Sequence, residues 1–289
     1  GIGEKLTTNA VTGTCSFAIP VPVTAARGGM QPALSLVYDS GSGNGVFGAG
    51  WHLSAGSVTR KTDKQLPTYD AADAIDTFVL AGAALLVPAL DGTGAQVIAT
   101  SGGVAVQQYR PRVEAAFSRI ERHTTLATGD ASWATVTASN VRATYGTSDA
   151  SRIADPADAG RVFSWLVDRT VDAAGNVIAY DYVQENLVGV AAAPAELHRL
   201  DGTAPISNRY LKSIRYGNTT PGDDTTCVFQ LVIDYGDHDD AAPTPVPSRP
   251  WPVRTDAFSS YRAGFDVRTY RRCARLLMFH NFPELGATP

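Results

Sequence analysis

Every stretch of this chain apolar enough to be buried is too short to be a helix, and that limits its fold more than any other feature. Short runs rich in β-branched and aromatic residues recur at residues 16–23, 33–38, 51–59, 77–88, 104–109, 118–124, 133–137 and 141–145, each bounded by turn-forming residues. None holds an apolar period of about 3.6 residues over the length an isolated helix needs. The clearest hairpin sets Val162-Phe-Ser-Trp-Leu-Val-Asp-Arg-Thr170 against Asn176-Val-Ile-Ala-Tyr-Asp-Tyr182 through Asp172-Ala-Ala-Gly175. Gly175 supplies the positive φ that such a turn requires. Two further strands, at residues 209–216 and 227–235, both run into Tyr-Gly (Tyr216-Gly217 and Tyr235-Gly236), so strand, tyrosine and glycine turn recur. The fold class is therefore all-β: a large antiparallel sheet of consecutive hairpins with long irregular loops.

Composition agrees and removes several function classes. The chain has 289 residues and is 44% hydrophobic, enough for a sizeable core, yet only 18% charged. Formal net charge is −4, and Lys5, Lys61, Lys64 and Lys212 are its only lysines, so no broad cationic field exists to hold nucleic acid or an anionic membrane. Cys15, Cys227 and Cys273 are odd in number and widely spaced, and read as small apolar residues rather than a disulfide framework or thiolate zinc site. No run of 18 apolar residues is present, and Gly1-Ile-Gly-Glu-Lys5 carries neither an initiator Met nor a signal-type apolar region. The expectation is a piece of a longer chain continuing beyond Pro289. Its parts read as a β domain over residues 1–236, a Pro-rich acidic connection over 237–260, and a long strand returning to the sheet over 261–289. The connection holds Pro243, Pro245, Pro247, Pro250 and Pro252, which cannot sit in a ladder. Residues 189–206 read as a long insertion loop.

Candidate sites fare poorly. Gly43-Asn-Gly-Val-Phe-Gly48 matches G-x-G-x-x-G, but Ala49-Gly-Trp-His-Leu-Ser-Ala-Gly56 cannot open the helix whose amides would hold a pyrophosphate, so the glycines read as a β-turn cluster. His52, His123, His198, His238 and His280 are scattered without metal-ligand spacing. Asp234, Asp237, Asp239 and Asp240 lack the Gly and distal Glu of a calcium loop and read as an exposed acidic loop. No nucleophile elbow is present, and Glu4, Glu114, Glu121, Glu185, Glu196 and Glu284 form no active-site motif. The expectation is no catalytic residue, no cofactor and no metal. Residues 261–275 concentrate arginines among aromatics, but period-two alternation puts Phe265, Val267 and Thr269 on one side and Asp266, Arg268 and Tyr270 on the other. Ion pairs or domain contacts explain them better than single-stranded nucleic acid. Trp51, Trp133, Trp165 and Trp251 offer a carbohydrate or receptor platform as an alternative to core packing.

Together the motifs resemble a known family. Gly3-Glu-Lys5, Asn9-x-Val-Thr-Gly-Thr14, Ile19-Pro-Val-Pro22, Pro32-x-Leu-Ser-Leu-x-Tyr-Asp-Ser-Gly41, Gly43-Asn44-Gly45, Phe47-Gly-x-Gly-Trp51 and Thr59-Arg-Lys-Thr-Asp63 look like the opening of the plasmid virulence protein B (SpvB) domain. That domain begins Tc toxin B subunits and a Salmonella virulence ADP-ribosyltransferase. Ser151-Arg-Ile-Ala-Asp-Pro156, Trp165, Asp172-x-x-Gly175-Asn176-Val-Ile178 with Tyr180 and Tyr182, Tyr261-Arg262-Ala-Gly264-Phe265, Phe279-His280 and Phe282-Pro-Glu-Leu-Gly286 extend the match over nearly the whole chain. In the Tc family, B and C subunits build a hollow shell of Rhs (YD) repeats around a cytotoxic enzyme, and a propeller of B docks it onto the pore-forming A subunit. The resemblance implies a non-catalytic part of that shell, with the rest of its own toxin chain and the C-type and A-type subunits as partners. It implies secretion, with a stay in the bacterial cytoplasm before export. The alternative it leaves open is a delivery domain fronting an ADP-ribosyltransferase, whose Glu-x-Glu turn this chain lacks.

Overall fold

The computed structural model describes residues 7–9, 13–70, 75–113, 117–202, 206–282, 284 and 286. Gly3-Glu-Lys5, Val11-Thr12, Glu114, Pro283, Leu285, residues 203–205 of the insertion loop and the end at Pro289 lie outside them.

The chain opens with a small antiparallel sheet of β1 (Thr7–Asn9), β2 (Thr14–Pro20), β3 (Ser35–Asp39) and, after a two-rung hairpin of β4 (Asn44–Gly45) and β5 (Gly48–Ala49), β6 (Trp51–Leu53), in the order β1-β2-β3-β6. Phe17 lies opposite Tyr38, and Tyr38 opposite Trp51. Their three rings pack at 5.2–5.4 Å between centroids, the cross-strand contact that holds so short a sheet together. The run at residues 51–59, read as one strand, breaks at residues 54–56, where the chain leaves this sheet for the next.

That next unit is a closed barrel. It is built from β7 (Ser57–Arg60), β8 (Phe78–Leu80), β9 (Ala84–Pro88), β11 (Val104–Pro111), β12 (Arg119–Thr125), β13 (Ala131–Val136), β14 (Arg142–Tyr145) and β16 (Asp158–Val171). Two short strands, β10 (Ile98–Ser101) and β15 (Arg152–Asp155), pair onto β11 and β16 outside the ring. The order β14-β13-β12-β11-β9-β8-β7-β16 becomes a ring because β14 pairs back onto β16, from Arg142 opposite Val171 to Tyr145 opposite Val167. Closure removes the exposed ladder edges that consecutive hairpins would otherwise leave. Period-two alternation turns Val58, Ile120 and Trp133 inward, where Phe78, Tyr109, Trp133 and Trp165 make a buried aromatic cluster with Phe78 and Tyr109 each 4.9 Å from Trp133. Arg60 enters the same interior, ion-paired to Asp76 at 2.6 Å with its guanidinium 4.8 Å from the Tyr69 ring and 5.2 Å from Phe78.

β16 is long enough to belong to two units. Near its start it pairs with β15 and β7, and its last residues pair with β14 on one side and β17 (Val177–Gln184) on the other. From there an open antiparallel sheet runs β16-β17-β18-β19-β22, with β18 (Arg209–Asn218), β19 (Cys227–Asp234) and β22 (Arg275–His280); one helical turn, α1 (Leu197–Leu200), sits in the insertion loop. Leu231, Ile233 and Tyr235 share one face of the β19 segment. Leu231 packs with Ile178, Ile214 and Tyr216 beneath Val21, Val23, Met30 and Leu34 of the N-terminal segment. Ile233 and Tyr235 pack with Tyr210 beneath Trp251, Val46 and Phe47. The Pro-rich segment and the first sheet are thus lids on the open sheet.

The segment over residues 261–289, read as one long returning strand, holds two separate strands among its described residues. β20 (Phe258–Ser260) and β21 (Val267–Thr269) form a separate hairpin, and only β22 joins the sheet. The break has a physical cause: the Tyr270 amide donates to the Tyr210 hydroxyl and the fully buried Arg271 is drawn to Glu185, so this segment satisfies its polar groups outside any ladder.

Candidate functional site

The motif residues fall at separate junctions where distant segments are tied together. At the first, Gly43-Asn44-Gly45 forms the β4–β5 hairpin rather than a phosphate cradle. The Arg254 guanidinium donates to the Gly45 carbonyl (2.8 Å) and the Asn44 Oδ1 (2.9 Å) while also pairing with Asp256. The Asn44 amide donates to Asp256 in return (2.8 Å). Arg254 and then Asn44 hold the Asp256 carboxyl well below the ordinary carboxylate range. Trp51 follows this hairpin, half-buried against Phe17 and Tyr38.

At the second junction, the Asp172 Oδ1 accepts from the amides of Ala174 (2.9 Å) and Asn176 (2.8 Å), and its Oδ2 from the Asn176 side chain (2.7 Å). Burial pushes the Asp172 carboxyl up, but these bonds and Arg27 outweigh it and leave it below its usual value. Arg27 donates to the Asn176 Oδ1 (3.0 Å), Asn218 to the Gly175 carbonyl (2.8 Å) and the Gly222 amide to the same carbonyl (2.7 Å). One β-turn therefore binds the N-terminal segment and the β18–β19 turn.

Tyr180 and Tyr182 mark the seam between barrel and open sheet. Tyr180 packs against both hydrophobic clusters, and the Tyr182 hydroxyl donates to the Val167 carbonyl of β16 (2.8 Å). Burial pushes the Tyr180 phenol up to about 12 and holds the Tyr182 phenol well above its ordinary value. The last group, Arg262, Gly264 and Phe265, lies beside the barrel: Gly264 closes a turn with Tyr261, Phe265 lies 6.5 Å from the Tyr69 ring, and the Tyr69 hydroxyl donates to the Ala263 carbonyl (2.6 Å). Arg262 is exposed.

The acidic run corrects its sequence reading. Asp239 and Asp240 are exposed, but Asp234, Asp237 and His238 are buried and their ligand atoms converge within 4.8 Å. A cation already sits among them. Lys212 Nζ donates to both Asp237 oxygens (2.9 and 2.7 Å) and lies 3.1 Å from the His238 Nε2, whose Nδ1 is 2.8 Å from the Thr244 carbonyl. An ammonium only donates and a carbonyl only accepts, so the His238 proton is on Nδ1. Asp234 takes Arg275 (2.6 Å) and the Gly236 amide (2.7 Å); burial raises its carboxyl, and these donors hold it below normal.

Three of the five arginines of residues 261–275, Arg268, Arg271 and Arg275, make ion pairs. Asp266 pairs with Arg199; Arg268 and Tyr270 both donate to Glu196, which also takes Arg199 (2.7 Å). The effect is to bolt the insertion loop onto the β20–β21 hairpin. Arg271 and Glu185 pair with no exposure of either side chain. Burial lifts the Cys227 thiol to about 11 and Cys273 to about 12, the opposite of an activated nucleophile. Trp133 and Trp165 lie in the barrel core and Trp251 of the Pro-rich segment is buried against Tyr210 and Tyr235 of the open sheet, so packing uses the faces that a glycan would need. Arg27, Glu185, Lys212 and Arg254 were missed in the sequence. Only Arg254-x-Asp256 had a local signal, because the other partners lie far along the chain.

What the arrangement does chemically is neutralise charge between segments remote in sequence. A family profile described as Salmonella virulence plasmid 65kDa B protein matches residues 9–282. The mono(ADP-ribosyl)transferase SpvB of Salmonella typhimurium strain 14028s is 34% identical over 98% of this chain and 51% of its own length, and that of Salmonella dublin is 34% identical over 98% and 50%. The chain thus spans about half the length of these relatives. The solved N-terminal domain of effector protein SpvB from Salmonella typhimurium strain LT2 superposes with a TM-score of 0.82 at 34% identity, over 94% of this chain and 89% of that one. TcdB2-TccC3 gives 0.84 at 30% identity, and the Photorhabdus luminescens Tc holotoxin pore 0.85 at 31%, each over 99% of this chain and 14% of the other.

Proposed function

This chain belongs to the family of the Salmonella virulence plasmid 65kDa B protein, and on that premise we propose that it is a non-catalytic structural and delivery module of a secreted bacterial toxin complex. It forms part of the hollow β shell that encloses and delivers a cytotoxic enzyme. The observation that carries this reading is the likeness of almost the entire chain to one stretch of much longer Tc toxin chains. The interior supports it too, since the charged groups gathered at its junctions pair with one another across segments remote in sequence. Its partners are then the rest of its own toxin chain and the C-type and A-type subunits, and its place of action is outside the bacterium. Cryo-electron microscopy of the assembled parent toxin tests this: the fold is expected in the shell wall, in contact with neighbouring strands. A map placing it outside the shell without interdomain contacts overturns the proposal.

A second reading has its own support in the relatives called mono(ADP-ribosyl)transferase, half of whose length this chain matches. In that reading the same fold fronts a transferase as its delivery half. The 289-residue chain alone is expected to turn over no NAD; turnover would refute the non-catalytic claim in both readings.

A further inference from the structure

We propose that the outer edge of β22 is the seat of an added β-strand, an extended apolar segment contributed by the longer toxin polypeptide. This rests on the shell reading above and names the place where the shell continues.

The open sheet ends at β22, and among the described residues no strand pairs with its outer side. The register sets which backbone groups face outward. Asn281 donates to the Val228 carbonyl (2.7 Å), and β22 pairs with β19 from Arg275 opposite Asp234 to His280 opposite Phe229. Antiparallel bonding alternates with period two, so residues 275, 277 and 279 turn their amides and carbonyls toward β19. Leu276, Met278 and His280 turn theirs away, presenting a row of donors and acceptors that only another extended backbone matches in spacing.

Beside the start of this edge lies a groove of about 320 Å³, walled by Ile19, Leu36, Phe47, Trp51 and Leu276. The first sheet supplies one wall and β22 the other, so a strand laid on the edge has an apolar slot for its alternate side chains. The molecule begins the cover itself: the Cys273 amide donates to the Val46 carbonyl (2.8 Å), where the β4–β5 hairpin meets this segment. The occupant follows from the edge chemistry, the apolar wall and the size of the chains that carry this fold, of which it makes up 14%.

Hydrogen exchange tests the proposal directly. In the 289-residue chain, the amides of Leu276, Met278 and His280 exchange freely while those of Leu277 and Phe279 are protected. In the assembled toxin the first three slow by about a hundred-fold or more. Met278→Pro removes an outward amide without cutting the β19 ladder. That variant is expected to keep Leu277 and Phe279 protected and to lose assembly, with Leu277→Pro as the control that disrupts the ladder itself. Equal protection of Leu276, Met278 and His280 in chain and assembly, or wild-type assembly of the Met278→Pro variant, overturns the inference. So does a concentration-dependent dimer of the isolated chain that protects the same amides, because the edge would then serve a second copy. A map with the fold in the shell wall and this edge bare would sink the inference and leave the shell reading standing.

Discussion

Arg271 and Glu185 lie wholly out of reach of water, and each neutralises the other through two guanidinium nitrogens, while the carbonyls of Trp251 (2.9 Å) and Val188 (3.0 Å) take remaining guanidinium protons. Such a pair adds little over a well-packed apolar substitute, but removing one partner strands a buried charge. Arg271→Ala is expected to lower unfolding stability by about 3–5 kcal/mol, and Arg271→Met with Glu185→Leu to recover most of it, as urea titration would read. The buried tyrosines add a pH dependence. Burial pushes Tyr180 and Tyr216 up to about 12, so both stay neutral in the fold after their unfolded counterparts ionise near 10. The unfolded state releases protons first, and the stability these groups contribute is full below pH 10 and lost as pH rises toward 12. A urea midpoint followed from pH 8 to pH 12 should hold steady and then fall. The fall should shrink in the Tyr180→Phe/Tyr216→Phe double variant.

The β16–β17 hairpin shows how much of an element is legible in residues and where legibility stops. Asp172 and Gly175 announced the turn, because capping by a carboxylate and a positive φ of 78° are local needs. Nothing local announced that Pro221 and Gly222 press on Gly175, so that an added Cβ would stand 2.8 Å from the Pro221 Cβ and 3.0 Å from the Gly222 amide. Gly222 has a similar φ of 77° with open space around it. Gly222→Ala should therefore cost only the left-handed strain, about 1–2 kcal/mol, and Gly175→Ala clearly more, in the same thermal or urea measurement. The split of the 261–289 segment into β21 and β22 was illegible for a related reason. A ladder strand and an extended segment bonded to side chains have the same period-two pattern, and only the positions of Tyr210 and Glu185 separate them. The acidic run failed likewise: Lys212, which buries Asp237 and His238, lies 25 residues from Asp237.

Across the whole molecule, β16 is a wall of the barrel and the first strand of the open sheet, and Tyr180 packs into the cores of both. The two units are expected to unfold together, with far-ultraviolet circular dichroism and tryptophan fluorescence giving superimposable urea transitions. Separated transitions would mean that β16 does not couple them. The all-β class, most strands, the Asp172–Gly175 turn and the ion-paired use of Arg268 could be read directly from the residues, because alternation and turn chemistry act over a few positions. Ring closure could not, since β14 and β16 meet through a pairing that no local pattern encodes and that depends on how eight strands fill one interior. The same holds for the lids on the open sheet and for the edge left at β22. Hairpins follow from neighbours in sequence, whereas the choice of which edges meet follows from burial summed over the molecule.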